Sequence, residues 1–128
     1  MIFLVGLDEH FPPKKGDVHK VSAFPDVPMR LLALKKFLET DHRQLRTAMR
    51  KLLSDGLAFK NEHLVRRCRR HRSIYELRGG CARLMFFRQG PLLVCTTLYV
   101  KESDDPEIQD AAFDQAEALR LEYMKGSG

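Results

Sequence analysis

The chain has 128 residues, 44% hydrophobic and 30% charged, which suits one globular domain and is short for two. No apolar run approaches the roughly 18 residues of a membrane span. The opening MIFLVGLDEHF lacks the basic segment of a signal peptide and reads as a first strand. The formal charge of +5 is unevenly spread, with +3 over residues 1–59, +7 over 60–88 and −5 over 89–128. A basic middle beside an acidic end points to a polyanion-binding face, with RNA or DNA the usual partner; a solvated arginine-rich surface is the plain alternative.

Residues 6–25 hold Pro12-Pro13, which bars a helix through their middle, so an extended or loop segment is expected. A first helix is expected from about Asp26, with Pro28 in its first turn and Leu31, Leu34, Phe37 and Leu38 as its apolar face. It breaks near Thr40. Asp41 and Gln44 have the spacing of a capping box, and Leu45, Ala48, Met49, Leu52 and Leu53 then recur at helical spacing up to a stop at Gly56. Two helices so closely joined predict a helical hairpin.

The period then changes. SIYELR, CARLMFFR and LLVCTTLYV are strand-like segments punctuated by Gly79-Gly80 and Gly90-Pro91, and HLVRR upstream can add a fourth strand. A last helix opens at Asp104 or Asp105, with Pro106 in its first position and Ile108, Ala112, Phe113, Ala116, Leu119 and Tyr123 on one face. The final KGSG reads as a frayed tail. The prediction is a single α+β domain over 1–128: N-terminal strand or loop, helical hairpin, three- to four-stranded antiparallel sheet, C-terminal helix.

If Gly79-Gly80 is a two-residue hairpin loop, Glu76 faces Arg83 and Tyr75 faces Leu84. Alternation then puts Tyr75, Leu77, Ala82, Leu84 and Phe86 on a helix-covered side, and Glu76, Arg78 and Arg83 on an exposed one. A four-residue loop changes the partners but not the faces, because the parity is unchanged. Upstream, residues 65–78 (VRRCRRHRSIYELR) hold six arginines and a histidine. Arg66, Arg67, Arg69, Arg70 and Arg72 are expected to grip an RNA backbone, at most half of them facing one ligand if the stretch is extended. Cys68, Cys81 and Cys95 form no CxxC spacing, so reduced thiols and a cytoplasmic setting are expected. The histidines at 10, 19, 42, 63 and 71 offer no ligand pair at metal spacing.

IYELR, a turn, ARLMFF, and an apolar strand closing in YVKESDDPEIQDA together resemble the RelE/HigB superfamily of bacterial toxins, most closely its HigB-like, phage-derived host-killing branch. The helical segment ending in LLSDGLAFKNEHLVR agrees, and the likeness covers roughly residues 20–124. It implies a RelE-like fold and the toxin of a type II toxin–antitoxin pair. Such a toxin is an endoribonuclease without metal or other cofactor that cuts mRNA on the ribosome and is neutralised by a cognate helix-turn-helix antitoxin. The RNA 2′-OH attacks the adjacent phosphorus, cations hold the extra negative charge, and an acid protonates the leaving 5′-oxygen.

Carried over by position, Arg83 stabilises the phosphate, Arg78 supports the site or contacts phosphate, and Lys101 is the first basic residue of an F-x-K-K pattern. Here that pattern reads Y-V-K-E, so Glu102 replaces the second lysine. Ile108 stands where some RelE-type members have a catalytic tyrosine. His71 is the candidate replacement, imidazole being suited to proton transfer near neutral pH; the plain reading is a surface histidine in a basic loop. Two other classes of function remain open: a non-catalytic RNA- or DNA-binding module of this fold, and a subunit whose arginine face binds an acidic protein segment.

Overall fold

A computed structural model describes residues 3–55 and 60–127, so the expected stop at Gly56 lies outside the described residues. The elements run β1 (Val5–Gly6), β2 (Lys20–Ala23), α1 (Asp26–Phe37), α2 (Glu39–Ser54), β3 (Val65–Arg67), β4 (Ile74–Gly79), β5 (Ala82–Gln89), β6 (Leu92–Val100) and α3 (Pro106–Ser127). The fold is α+β, with three helices on a six-stranded mixed sheet of order β1-β2-β6-β5-β4-β3. The expected meander is present as β3 to β6, including the strand in HLVRR. The sheet is wider than expected because β2 lies parallel to β6 and β1 pairs antiparallel with β2. KVSA is too short to show a period; its ladder partner, residues 92–95, lies some seventy residues away. The last helix runs from Pro106 to Ser127.

Pairs directly opposite in an antiparallel ladder share a face, and that rule builds two cores. Leu77 opposite Leu84, and Tyr75 opposite Phe86, point towards α1 and α2, where Leu31, Leu34, Leu45, Met49 and Leu52 complete one buried cluster. Ile74 opposite Phe87, with Met85 and Val94, point the other way and are covered by Phe113 and Ala116 of α3. Phe37 does not join the first core, being 73% exposed, because Leu38 (φ −138°, ψ 63°) breaks the helix directly after it. Ile108, expected on the buried face of α3, is 53% exposed.

Two local expectations are corrected. The second helix starts at Glu39, so Asp41 lies inside its first turn and caps nothing. Its Oδ1 instead accepts the Cys81 N–H at 2.9 Å and ties α2 to the β4–β5 turn. That turn is Gly80-Cys81, since Gly79 pairs with Ala82 as the last residue of β4. A Cβ on Gly79 would overlap the Leu45 backbone, so the strand passes against α2 only because it ends in glycine. Gly80 takes the bend at φ 58°. The register therefore moves by two residues, and the faces stay as expected.

The N-terminal segment is pinned on α2. His10 Nδ1 and His42 Nε2 lie 3.1 Å apart and both side chains are buried. Burial lowers both histidine pKa values first; Lys35 adds to this at both, His10 and Arg46 at His42, while Glu9 and Glu39 oppose it. A histidine whose folded pKa lies below its unfolded one contributes stability in full above the unfolded value of 6.5 and loses it as pH falls. The urea midpoint should therefore fall between pH 8 and pH 5, and less so in His10→Phe. Leu84→Ala should cost about 2–5 kcal/mol at either pH, as a truncation in the first core.

Candidate nucleic-acid interface

The polar end of the α3-covered face is organised by Glu76, which is 0% exposed. In the observed register Arg78 lies directly opposite Arg83, Arg66 opposite Glu76, and Tyr99 opposite Arg83. Facing like charges repel, and a carboxylate placed diagonally between them offsets this. Arg78 Nε donates to Glu76 Oε1 at 3.0 Å, and Arg83 Nε stands 3.9 Å from the same oxygen. The Tyr99 hydroxyl donates to Oε2 at 3.3 Å, and Gln109 Nε2 of α3 reaches it at 3.4 Å. One carboxylate thus serves two guanidinium groups, with a third, Arg66, across the ladder; the cluster keeps a positive excess.

Arg83 is not the solvent-facing cation the sequence suggested. It is 9% exposed, because α3 lies over this face, and its Nη1 donates to the Gly80 and Ala82 carbonyls at 2.7 and 3.0 Å. The Glu76–Arg83 pair is accordingly a buried, diagonal contact rather than an exposed cross-strand one. Arg78, about a quarter exposed, is the cation of this pair that solvent reaches. Lys101 continues the same face at the end of β6, with its N–H bonded to the Cys81 carbonyl and its Nζ 2.9 Å from Asp104. The hydrogen bond and charge of Lys101 hold the Asp104 carboxyl below its ordinary range. Since Asp104 is almost fully exposed, an arriving phosphate can compete for the ammonium at little cost. Tyr99, Lys101, Ser103, Asp104 and Gln109 line a cleft of about 160 Å³, with Ile108 at its wall.

His71 is placed elsewhere. It precedes β4, whose length of about 17 Å separates its two ends, and Arg78 is at the far one. Its Nε2 is 2.6 Å from Asp114, and its backbone N–H meets Cys68 Sγ at 3.3 Å. The structure thus brings Arg78, Arg83 and Lys101 together and leaves His71 outside. Part of the basic loop is also neutralised by α3, since Arg70 pairs with Asp114 at 3.3 Å and Asp110 at 3.6 Å. Arg67 donates to the Arg72 carbonyl at 2.6 Å and lies over the Tyr75 ring. All five loop arginines are exposed, and Arg66, Arg69 and Arg72 have no side-chain ion pair among the described residues. A small cleft under Arg66, Arg67, Arg69 and Arg70 has Gln109 in its wall, the same residue that borders the Lys101 cleft.

A second basic surface escaped the sequence reading. Two clefts along α2, about 340 and 290 Å³, share Thr47 and Lys51. Lys14, Arg46 and Arg50 line the first; Arg43 and Arg78 line the second. The signal was available, because Arg43, Arg46 and Arg50 recur at i, i+3, i+7 opposite the apolar stripe. The three cysteines are free, with burial raising the Cys95 thiol, and no group of three metal-ligating side chains occurs among the described residues. Among the described residues, no helix is long and apolar enough to cross a membrane.

Because Arg83 is held by carbonyls and a buried carboxylate, Glu76→Ala should strand it and cost about 3–5 kcal/mol in urea unfolding. Arg83→Ala should also destabilise, where an exposed arginine would change stability by less than about 0.5 kcal/mol. No family model, curated protein or solved structure matches this chain.

Proposed function

We propose that the protein is an RNA-cleaving toxin of RelE/HigB type, a metal-independent endoribonuclease that cuts mRNA on the ribosome through 2′-OH attack and is held inactive by a cognate antitoxin. The observation that carries this reading is the convergence of Arg78 and Arg83 on a single buried carboxylate, with the exposed Arg66 opposite it in the ladder, beside a cleft that holds Lys101. Three guanidinium groups around one carboxylate leave a local positive excess beside that cleft, as a site for a phosphate gaining charge requires, while Glu102, Asp104 and Asp105 line the cleft itself. The order of helix pair, meander and covering helix supports a RelE-like arrangement. Arg66, Arg69 and the α2 surface extend the charge in two directions from the cleft, suiting a strand longer than one nucleotide.

Roles divide by exposure. Lys101 and Arg78 face the phosphate, Arg83 holds the turn and the charge of Glu76, and Arg66, Arg69 and Arg72 meet flanking phosphates. A second reading, a non-catalytic RNA-binding module, is favoured by two findings: the carried-over arginine is turned inward, and Glu102 stands beside Lys101.

A short mRNA incubated with ribosomes and EDTA should be cut to products with 2′,3′-cyclic phosphate ends. Lys101→Ala should slow cutting ~100-fold while changing RNA affinity far less, since one phosphate contact of several is lost. Cleavage that stops in EDTA excludes the metal-free mechanism; tight binding without cleavage selects the binding module. Replacing Arg66 and Arg69 with alanine should lower the log–log salt slope of RNA affinity by up to ~0.7 per contact. An unchanged slope returns those arginines to ordinary surface.

A further inference from the structure

The proposed reaction needs a proton donor for the leaving 5′-oxygen, and of the residues assigned so far only Lys101, paired with Asp104 and given to the phosphate, carries a transferable proton in the cleft. His71 is turned to Asp114 beyond the start of β4, Ile108 has no proton to give, and Glu102, Asp104 and Asp105 bring negative charge to the cleft. One other side chain in the cleft combines a transferable proton with a fixed position. Tyr99 lines the cleft beside Lys101, lies opposite Arg83 in the β5–β6 ladder, and has its hydroxyl 3.3 Å from Glu76 Oε2. Glu76 cannot swing away to solvent, because Arg78 holds its other oxygen and Gln109 shares the first.

Resting on the endoribonuclease reading above, we propose that the Tyr99 hydroxyl is the general acid that protonates the leaving 5′-oxygen of the RNA. As the 2′-oxygen bonds to phosphorus and gives up its proton to water, the phosphorus–5′-oxygen bond breaks and the Tyr99 O–H proton passes to that oxygen. The products are a 2′,3′-cyclic phosphate and a free 5′-hydroxyl. Water then returns a proton to the phenolate, so nothing is consumed. Two features suit Tyr99 to this role. Burial, and then the charge of Glu76, push its pKa up to about 12, so the phenol stays protonated near neutral pH. It is nevertheless a far stronger acid than an alcohol, whose pKa is near that of bulk water at ~15.7. Arg83 and Arg78 act in the opposite sense on Tyr99 and favour the transient phenolate.

The test uses two versions of one RNA, identical except that the oxygen leaving at the cleaved bond is replaced by sulfur in the second. A thiolate departs without protonation. Tyr99→Phe keeps the ring and should cut the oxygen RNA ~100-fold more slowly at unchanged KM, while cutting the sulfur RNA at the wild-type rate. Equal losses on both RNAs would overturn the acid role and leave Tyr99 as a positioning residue. A variant as fast as wild type on the oxygen RNA would overturn it outright. Should the Phe variant fail to fold, 3-fluorotyrosine at position 99 serves instead: it should change the rate on the oxygen RNA alone, and no change there overturns the role. A wild type that cuts neither RNA removes the endoribonuclease reading itself, whereas a cutting wild type with an indifferent variant removes only the proton donor.

Discussion

A buried carboxylate is tolerable only when its charge is met, and Glu76 sets the terms for everything around it. Two guanidinium groups, a phenol and an amide converge on its two oxygens from β4, β5, β6 and α3. Each of those elements is thereby fixed relative to the others at the polar end of the sheet. Without Glu76, the direct opposition of Arg78 and Arg83 would repel and the turn at Gly80 would lose the arginine that holds its carbonyls. The same carboxylate meets two guanidinium groups, so the arrangement that closes the fold also leaves an excess of positive charge beside the Lys101 cleft.

The third helix has a double part. Its apolar residues, Phe113 and Ala116, cover the second core, and its polar edge distributes charge along the sheet. Gln109 reaches Glu76, while Asp110 and Asp114 meet Arg70 and His71. The acidic C-terminal third and the basic middle of the chain are thus partly one another's counterions. Arg66, Arg69 and Arg72 escape this pairing among the described residues and keep the charge that a phosphate chain can use.

On the opposite face, α2 is joined to the rest by polar as well as apolar contacts. Asp41 accepts the Cys81 N–H, His42 meets His10, and Arg50 pairs with Asp17. These contacts seat the N-terminal segment and the β4–β5 turn on one helix. They also leave Arg43, Arg46 and Lys51 facing outwards along a shared groove that ends at Arg78.

Periodicity along the chain determined the helices, the four-strand meander and which side of the central hairpin each residue takes, because these depend on neighbours a few positions away. The face assignment held through a two-residue change of register, since parity is unaffected by an even shift. Charge counting likewise located the basic loop. Other features were decided by partners distant in sequence. The β2 strand exists through its ladder with β6, Asp41 finds the turn forty residues on, and Arg83 is buried because α3 folds over a face that alternation alone leaves open. His71 is drawn away from the cleft by Asp114 in the same manner. A sequence specifies which side of a strand a residue occupies; whether that side meets water, a carboxylate or a helix depends on where the rest of the chain comes to lie.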